Sequence, residues 1–492
     1  MNHKLSSELQ LQSDRVFELA KSYGLTHFPI KFLSVSPKEL NGIAAYTGFP
    51  LRIPHWRYGM EFENIHKKYQ YGLSKIYELV INTNPVIAYL LNTNALVDQK
   101  LVMIHVCGHA DFFYNNRWFS PTNRNMLDQM ANNASRVKRI MGKEGEATVE
   151  KFLDVCFSLE NLIDPYSLYI KRNRESENDD KREVAKLPAK PYMDKFINTK
   201  EFVTKQKEEI EKQEKRDKEL PNRDNKDILQ FLINNAPLED WQKDILEMVR
   251  EESYYFAPQA MTKIMNEGWA TYIHSKFMTT HLAEDSDIID YCDSQSRVMA
   301  AGSGLNPYRL GLALFKDIEE RWNKGKFGFE WETCTDFEKK RHWDKELNKG
   351  KEKLFNVRMT HNDLTFIDTF LTPEFCQKEK LFSYKTGYEG YLETSTKFDE
   401  VQTQLLQMLA NGGSPVIKII DGNFRNRGEL LLEHVFDGRG LDKDKGSDTL
   451  ENLFKLWTRP VHLDTVESSE ETEKEFIRWS YDGKSHSDAI VC

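Results

Sequence analysis

Between Lys171 and Asp227 the chain cannot supply a hydrophobic core. The segment is dominated by Lys, Glu, Asp, Arg and Asn, with QKEEIEKQEKRDKEL at its centre. Charge runs of this kind stay in water, so it reads as a solvated helix or flexible insertion, with a docking segment for a partner as the alternative. Whatever folds must be assembled from the apolar patterns on either side. That gives five expected regions: a helical region at 1–170, the charged insertion or linker at 171–227, and a second helical region at 228–355 that packs with the first. A C-terminal α+β domain at 356–467 and a polar, loose tail at 468–492 complete the chain.

The patterning on each side is mostly helical. Residues 7–24, 124–170 and 228–283 carry apolar residues at helical spacing, and 304–323 reads as a helix opening at Asn306-Pro307. Residues 28–56 are interrupted by Pro and Gly and read as irregular. Residues 62–118 read as mostly helical, broken near Pro85. After about residue 360 the style changes. DLTFIDTFLT, LFSYKTGYEGYLE, SPVIKIIDGNF and GELLLEHVF carry β-formers, with turn signals at Asp421-Gly422-Asn423 and Asp437-Gly438-Arg439. NLFKLWTRPVHLDT then reads as a short helix and a last strand. The expected fold class is α+β, with a mainly helical body and a C-terminal α+β domain.

Composition excludes several classes. With 39% hydrophobic and 29% charged residues the chain is globular rather than disordered, and 29 Phe, 20 Tyr and 9 Trp can fill a large core. The formal net charge of -9 argues against nucleic acid or an anionic membrane as the main partner. No run of 18 apolar residues is present, so no membrane span is expected, and the N-terminus is amphipathic rather than signal-like. Six Cys, at 107, 156, 292, 334, 376 and 492, form no Cys-x-x-Cys pair and read as reduced thiols. The expected location is the cytoplasm.

Two motifs carry candidate chemistry. In LVMIHVCGHADFF, His105 and His109 lie four apart, which on a helix puts both imidazoles on one face, as zinc sites require. With 13 His in the chain such a pair also arises by chance, as core or capping histidines. In KIMNEGWATYIHSKF, Glu267 interrupts an apolar helix, where a carboxylate is costly unless paired or bound to a metal. His274, seven residues on, shares its face. A third segment, IPHWRYGMEFENIHKKYQYG, crowds His55, Trp56, Arg57, Tyr58, Glu61, Glu63 and His66 together. Such density suits a binding site, and His55, Arg57 and Tyr58 are the candidate contacts to an anionic or amide substrate. A charged, aromatic helix surface is the plainer alternative.

The first two motifs together resemble the gluzincin sites of zinc aminopeptidases and of some zinc carboxypeptidases. There two His come from one helix and a Glu from a later helix that often reads Asn-Glu-Gly-aromatic-Ala; residues 266–270 here are Asn-Glu-Gly-Trp-Ala. The resemblance implies a metallopeptidase-like body in which His105, His109 and Glu267 hold Zn2+ or another divalent ion. Three protein ligands would leave a position open for water. One position departs from the pattern. The Glu that accepts a proton from the metal-bound water is replaced by Val106. Substitute bases are Glu61, Glu63, Asp111, Glu160 and His274, with Glu61 and Glu63 first. Tyr254, Tyr255 and Tyr308 are candidates to polarise a carbonyl oxygen.

Longer blocks extend the resemblance to nearly all of residues 8–465. HWRYGMEFE, YELVINTNPVIAYLLNTN, HVCGHADFFYNN, MNEGWATYIHSKF and NPYRLGLALFKDIEERW, in this order, are similar to the stage V sporulation protein R (SpoVR) family. That resemblance implies a cytoplasmic bacterial protein linked to spore cortex formation or, in bacteria that do not sporulate, to stress physiology. It also implies a PrkA-like serine kinase and a von Willebrand-type protein as partners, and it brings no reaction with it. Two readings stay open: a metal-dependent peptidase or amidase, or a non-catalytic regulatory protein with a structural or vestigial metal site.

Overall fold

The structure, a computed structural model, describes residues 3–70, 78–170, 204, 207, 226–300, 305–386, 392–467 and 475–490. The charged run lies almost wholly outside the described residues. The chain divides into two compact units: Met1–Glu146 with Tyr255–Gly413, and Ala147–Tyr254 with Ser414–Cys492. The architecture is α+β, with a mainly helical body and a C-terminal five-stranded sheet. No helix among the described residues is long and apolar enough to cross a membrane. The five described cysteines are free thiols.

The first unit begins with the helix Ser7–Tyr23, capped by Ser6, whose side chain accepts from Leu9 N. Gly24 ends it in the left-handed region at φ 96°. A three-stranded sheet follows, in the order β1 (Ile30–Val35), β3 (Val86–Leu91), β2 (Glu78–Ile81), with β1 parallel and β2 antiparallel to the central strand. This corrects two expectations. Residues 28–56 contain β1 and the helix Pro37–Ala45, because Pro37 sits at the first helical position and starts that helix behind a Ser36–Glu39 capping box. Residues 78–91 form a hairpin rather than helix. VIAYLL in β3 is buried at every position, and a strand covered on both faces shows no alternation by which to tell it from a buried helix.

Two central helices organise this unit: the histidine helix, Leu96–Asn115, and the glutamate helix, Lys263–Phe277. Both are buried on nearly every side, so neither shows an amphipathic stripe. The helix Pro307–Lys324 packs on the glutamate helix, its N-terminus capped by Asn306. Trp269 is fully buried and meets Phe315 and Phe355 edge-on, at 5.6 and 5.5 Å between ring centroids. DLTFIDTFLT, expected as a strand, is the helix Asp363–Phe370, initiated by an Asn362–Thr365 capping box that overrides its β-forming residues.

The second unit combines the helices Glu146–Ser158 and Ile228–Asn235, the first part of Asp240–Met261 and the helix Lys443–Trp457 with a sheet. Strand order is β10 (His486–Ile490), β9 (Glu475–Tyr481), β8 (Val461–Glu467), β7 (Glu429–His434), β6 (Ile417–Phe424), antiparallel except for β7–β8. Phe231 stacks on Trp457 at 5.4 Å, and Asn452 Nδ2 donates to Ser158 Oγ at 2.9 Å. These contacts make one unit of two distant stretches of chain. The tail expected to be loose supplies β9 and β10. Asp421-Gly422-Asn423 is no turn: it lies inside β6 at a register shift, and a Cβ at Gly422 would come within 2.8 Å of Phe231 Cζ. Gly422 is glycine for close approach, not for reversal.

Candidate metal centre

The histidine helix delivers His105 and His109 to one point because four residues make about one turn. The glutamate helix brings Glu267 to the same point. All three side chains are buried, and the ligand atoms they offer lie within 4.8 Å of one another, a group that could hold a metal ion. Glu267 Oε2 is 3.7 Å from His105 Nε2 and 3.5 Å from His109 Nε2. Both separations exceed a hydrogen bond. They are close to the spacing of about 3.3 Å between neighbouring ligand atoms on a tetrahedral ion with bonds of about 2.0–2.1 Å. Glu267 Oε2 is buried and makes no hydrogen bond among the described residues. The other oxygen, Oε1, accepts from Lys263 Nζ at 2.6 Å, which fixes the carboxylate with Oε2 turned to the histidines.

The far side of each ring is also held. His109 Nδ1 lies 2.9 Å from Asn266 Oδ1, an acceptor, so Nδ1 carries the proton and Nε2 keeps its lone pair. His105 Nδ1 lies 2.7 Å from His274 Nδ1, and His274 Nε2 lies 2.7 Å from Gln295 Oε1. The protonated Nε2 of His274 donates to Gln295, which leaves its Nδ1 to accept from His105. In that arrangement both ligand histidines present Nε2 lone pairs, and each ring is oriented by an outer hydrogen-bond partner.

The charge states agree. Burial, with repulsion from His105, pushes His109 down to about 4, so it is neutral at neutral pH. Burial and His105 likewise hold His274 well below the ordinary histidine range. For Glu267 burial opposes ionisation, but His105, His109 and Lys263 outweigh it and keep the carboxyl far below the usual range. The neutral His109 ring, the His105 imidazole and one carboxylate form a donor set suited to a divalent cation.

The other candidates are placed as follows. Val106 is fully buried in the apolar core and offers no proton acceptor. Asp111 is an anchor: it pairs with Arg358, accepts from Trp269 Nε1 at 2.9 Å and accepts from Thr26 N at 2.9 Å. His274 stands behind His105 with both ring nitrogens engaged. Tyr308 stacks beside His105, with ring centroids 6.4 Å apart. Glu61 and Glu63 are exposed on the helix Trp56–Gln70, and Glu63 pairs with Lys67 at 3.9 Å. On the same helix Arg57 donates to the Tyr58 hydroxyl at 3.1 Å, and the His55 ring packs on Trp56 just before it. The Tyr255 hydroxyl donates to Asn82 O at 3.2 Å. Tyr254 and Glu160 belong to the second unit, where the Tyr254 hydroxyl donates to Asp227 at 2.6 Å.

Sequence reasoning missed Lys263, Asn266 and Gln295, as well as the role of the motif glycines. A Cβ at Gly108 would sit 2.7 Å from Ala270 Cα, and one at Gly268 would sit 2.5 Å from Gly311 Cα. Side chains there would force the histidine helix, the glutamate helix and the helix Pro307–Lys324 apart. The signal was present as Gly between the two histidines and Gly after the glutamate.

Comparison with known proteins identifies a family for the chain. The family described as SpoVR like protein matches residues 3–414, and the SpoVR-like C-terminal domain matches residues 415–468. An Escherichia coli (strain K12) protein, "Uncharacterized protein YcgB", is 29% identical over 482 residues, covering 92% of this chain and 90% of its own. No solved structure matches. With nearly its whole length matched, the chain belongs to the SpoVR family.

Proposed function

We propose that the chain is a metal-dependent hydrolase of the peptidase or amidase class, with zinc or a similar divalent ion held by His105, His109 and Glu267. One observation carries the reading: Glu267 Oε2 is buried, lacks a hydrogen bond among the described residues and faces both histidine Nε2 atoms. A divalent ion there supplies Lewis acidity and an acidified water. The chain's own residues do the rest. Asn266 and His274 fix the ligand tautomers, and Lys263 orients the carboxylate. Tyr308, stacked beside His105, is the phenol assigned to polarise a substrate carbonyl. The proton acceptor missing at Val106 is assigned to Glu61 or Glu63, exposed on the helix that also carries Arg57 and Tyr58, with His55 beside it for substrate.

The second reading is a regulatory protein whose ion only braces the helical body. Val106, and the near-complete burial of all three ligands, favour it. The SpoVR resemblance adds a cytoplasmic setting, a link to spore cortex formation or stress, and partners of the PrkA-like kinase and von Willebrand types. These rest on that resemblance alone. The deciding experiment is turnover of a panel of peptides and cell-wall amides by the zinc-loaded chain and by Glu267→Ala. Turnover present only in the loaded native chain supports the hydrolase; a loaded native chain that turns over nothing supports the brace.

A further inference from the structure

His274 is the more unusual of the outer partners. A metal-bound histidine commonly donates its second N–H to a carboxylate, a carbonyl or water. Here the acceptor is another imidazole, with Nδ1 facing Nδ1 at 2.7 Å, and that imidazole is itself held at Nε2 by Gln295 at 2.7 Å. An imidazole accepts at one nitrogen only when the other is protonated. The donor direction along the row is therefore set at its outer end. An acceptor at Gln295 places a proton on His274 Nε2, a lone pair on His274 Nδ1, a proton on His105 Nδ1 and a lone pair on His105 Nε2. A donor at position 295 would reverse every step and leave His105 with a proton where the ion must bind.

Gln295 lies on the helix Ile288–Met299, which buries only Tyr291. Polar contacts hold its neighbourhood to the histidine helix: Lys100 Nζ to Asp287 at 3.0 Å, and Ser294 Oγ to Asp98 at 3.0 Å. An element that buries so little apolar surface opens at low free-energy cost. The hydrogen bond from His274 to Gln295 joins it to the ligand row.

We propose that His274 and Gln295 are positioning residues that set the tautomer of His105, and that through them the docking of the helix Ile288–Met299 and ion binding at His105, His109 and Glu267 favour one another. The proposal rests on the metal reading above. Coupling of this kind is reciprocal: the ion steadies the helix, and the docked helix tightens the ion.

The test uses the full chain, stripped of metal and titrated with Zn2+ against a chromophoric chelator. The same samples are measured by Co2+ absorption and by hydrogen exchange over residues 288–299. Gln295→Leu removes the acceptor at a half-buried position, and Gln295→Glu restores one. The expected result is a roughly 10- to 100-fold weaker Zn2+ affinity and an altered Co2+ spectrum in Gln295→Leu, with native-like affinity in Gln295→Glu. Zn2+ should slow exchange over 288–299 in the native chain and not in Gln295→Leu. A native chain that binds Zn2+ while Gln295→Leu matches it in affinity, spectrum and exchange overturns the relay and leaves the metal reading standing. A native chain that binds no ion overturns both. Circular dichroism of each variant identifies any loss that comes from unfolding.

Discussion

Gly108 and Ala270 bring the histidine and glutamate helices into backbone contact, so close that a Cβ on Gly108 would lie 2.7 Å from Ala270 Cα. That contact lies between His105 and His109 in sequence and three residues from Glu267. Gly108→Ala should force the helices apart, lowering stability by about 1–3 kcal/mol as overpacking does, and should weaken ion binding. Gly42→Ala, where a Cβ meets nothing within 4 Å, is the control and should leave both unchanged or slightly improve stability. Urea denaturation and chelator competition on the two variants check this.

His109 should be neutral in the apo protein until strongly acid pH. Its folded-state value of about 4 lies below the ordinary 6.5 because of burial and of His105. The folded value is depressed, so the stability linked to the neutral ring is fully present above the unfolded value and is lost as pH falls through about 4. Imidazole C–H resonances followed by NMR should show one histidine with a midpoint near 4, absent in His109→Ala. A midpoint near 6.5 for that resonance would contradict the buried, neutral ligand.

Asp363 closes the start of the glutamate helix from a distant position, accepting from Ile264 N and Met265 N at 2.8 Å each. Burial pushes its carboxyl up to about 7. Asp363→Ala leaves two buried N–H groups without a partner and should cost about 1–3 kcal/mol per group, whereas Asp363→Asn keeps one acceptor and should cost less. Denaturant midpoints of the two variants give the comparison.

Asp111 and Arg358 form a buried pair, closed by Trp269 and Thr26. Asp111→Ala strands the guanidinium in the core and should cost about 3–5 kcal/mol. Any loss of ion binding in that variant should track the loss of folded protein. A well-folded Asp111→Ala chain with selectively altered chemistry would return Asp111 to the candidate bases.

Much of the centre was legible in the sequence. The four-residue spacing of His105 and His109, and a carboxylate in an apolar helix at Glu267, are local patterns that survive without coordinates. The partners behind them were not legible. Gln295 sits on an ordinary amphipathic helix, and nothing near it in sequence announces that it meets His274. Asp111 looked like a spare base because its cation, Arg358, is 247 residues away. The strand β3 was hidden by its own burial, since a run that is apolar at every position has no period to read. The tail strands were hidden by the opposite effect: β10 is an edge strand exposed at every position, and β9 beside it buries only one residue. The two halves of the second unit meet through pairs such as Phe231 and Trp457, which no local pattern joins.

The central claim is that His105, His109 and Glu267 hold a metal ion, and elemental analysis of protein purified without a histidine tag tests it most directly. The native chain should carry about one divalent ion, and a folded His105→Ala/His109→Ala double variant should carry none. A native chain that stays metal-free after incubation with zinc or iron and dialysis, or a double variant that retains the ion, would contradict the account.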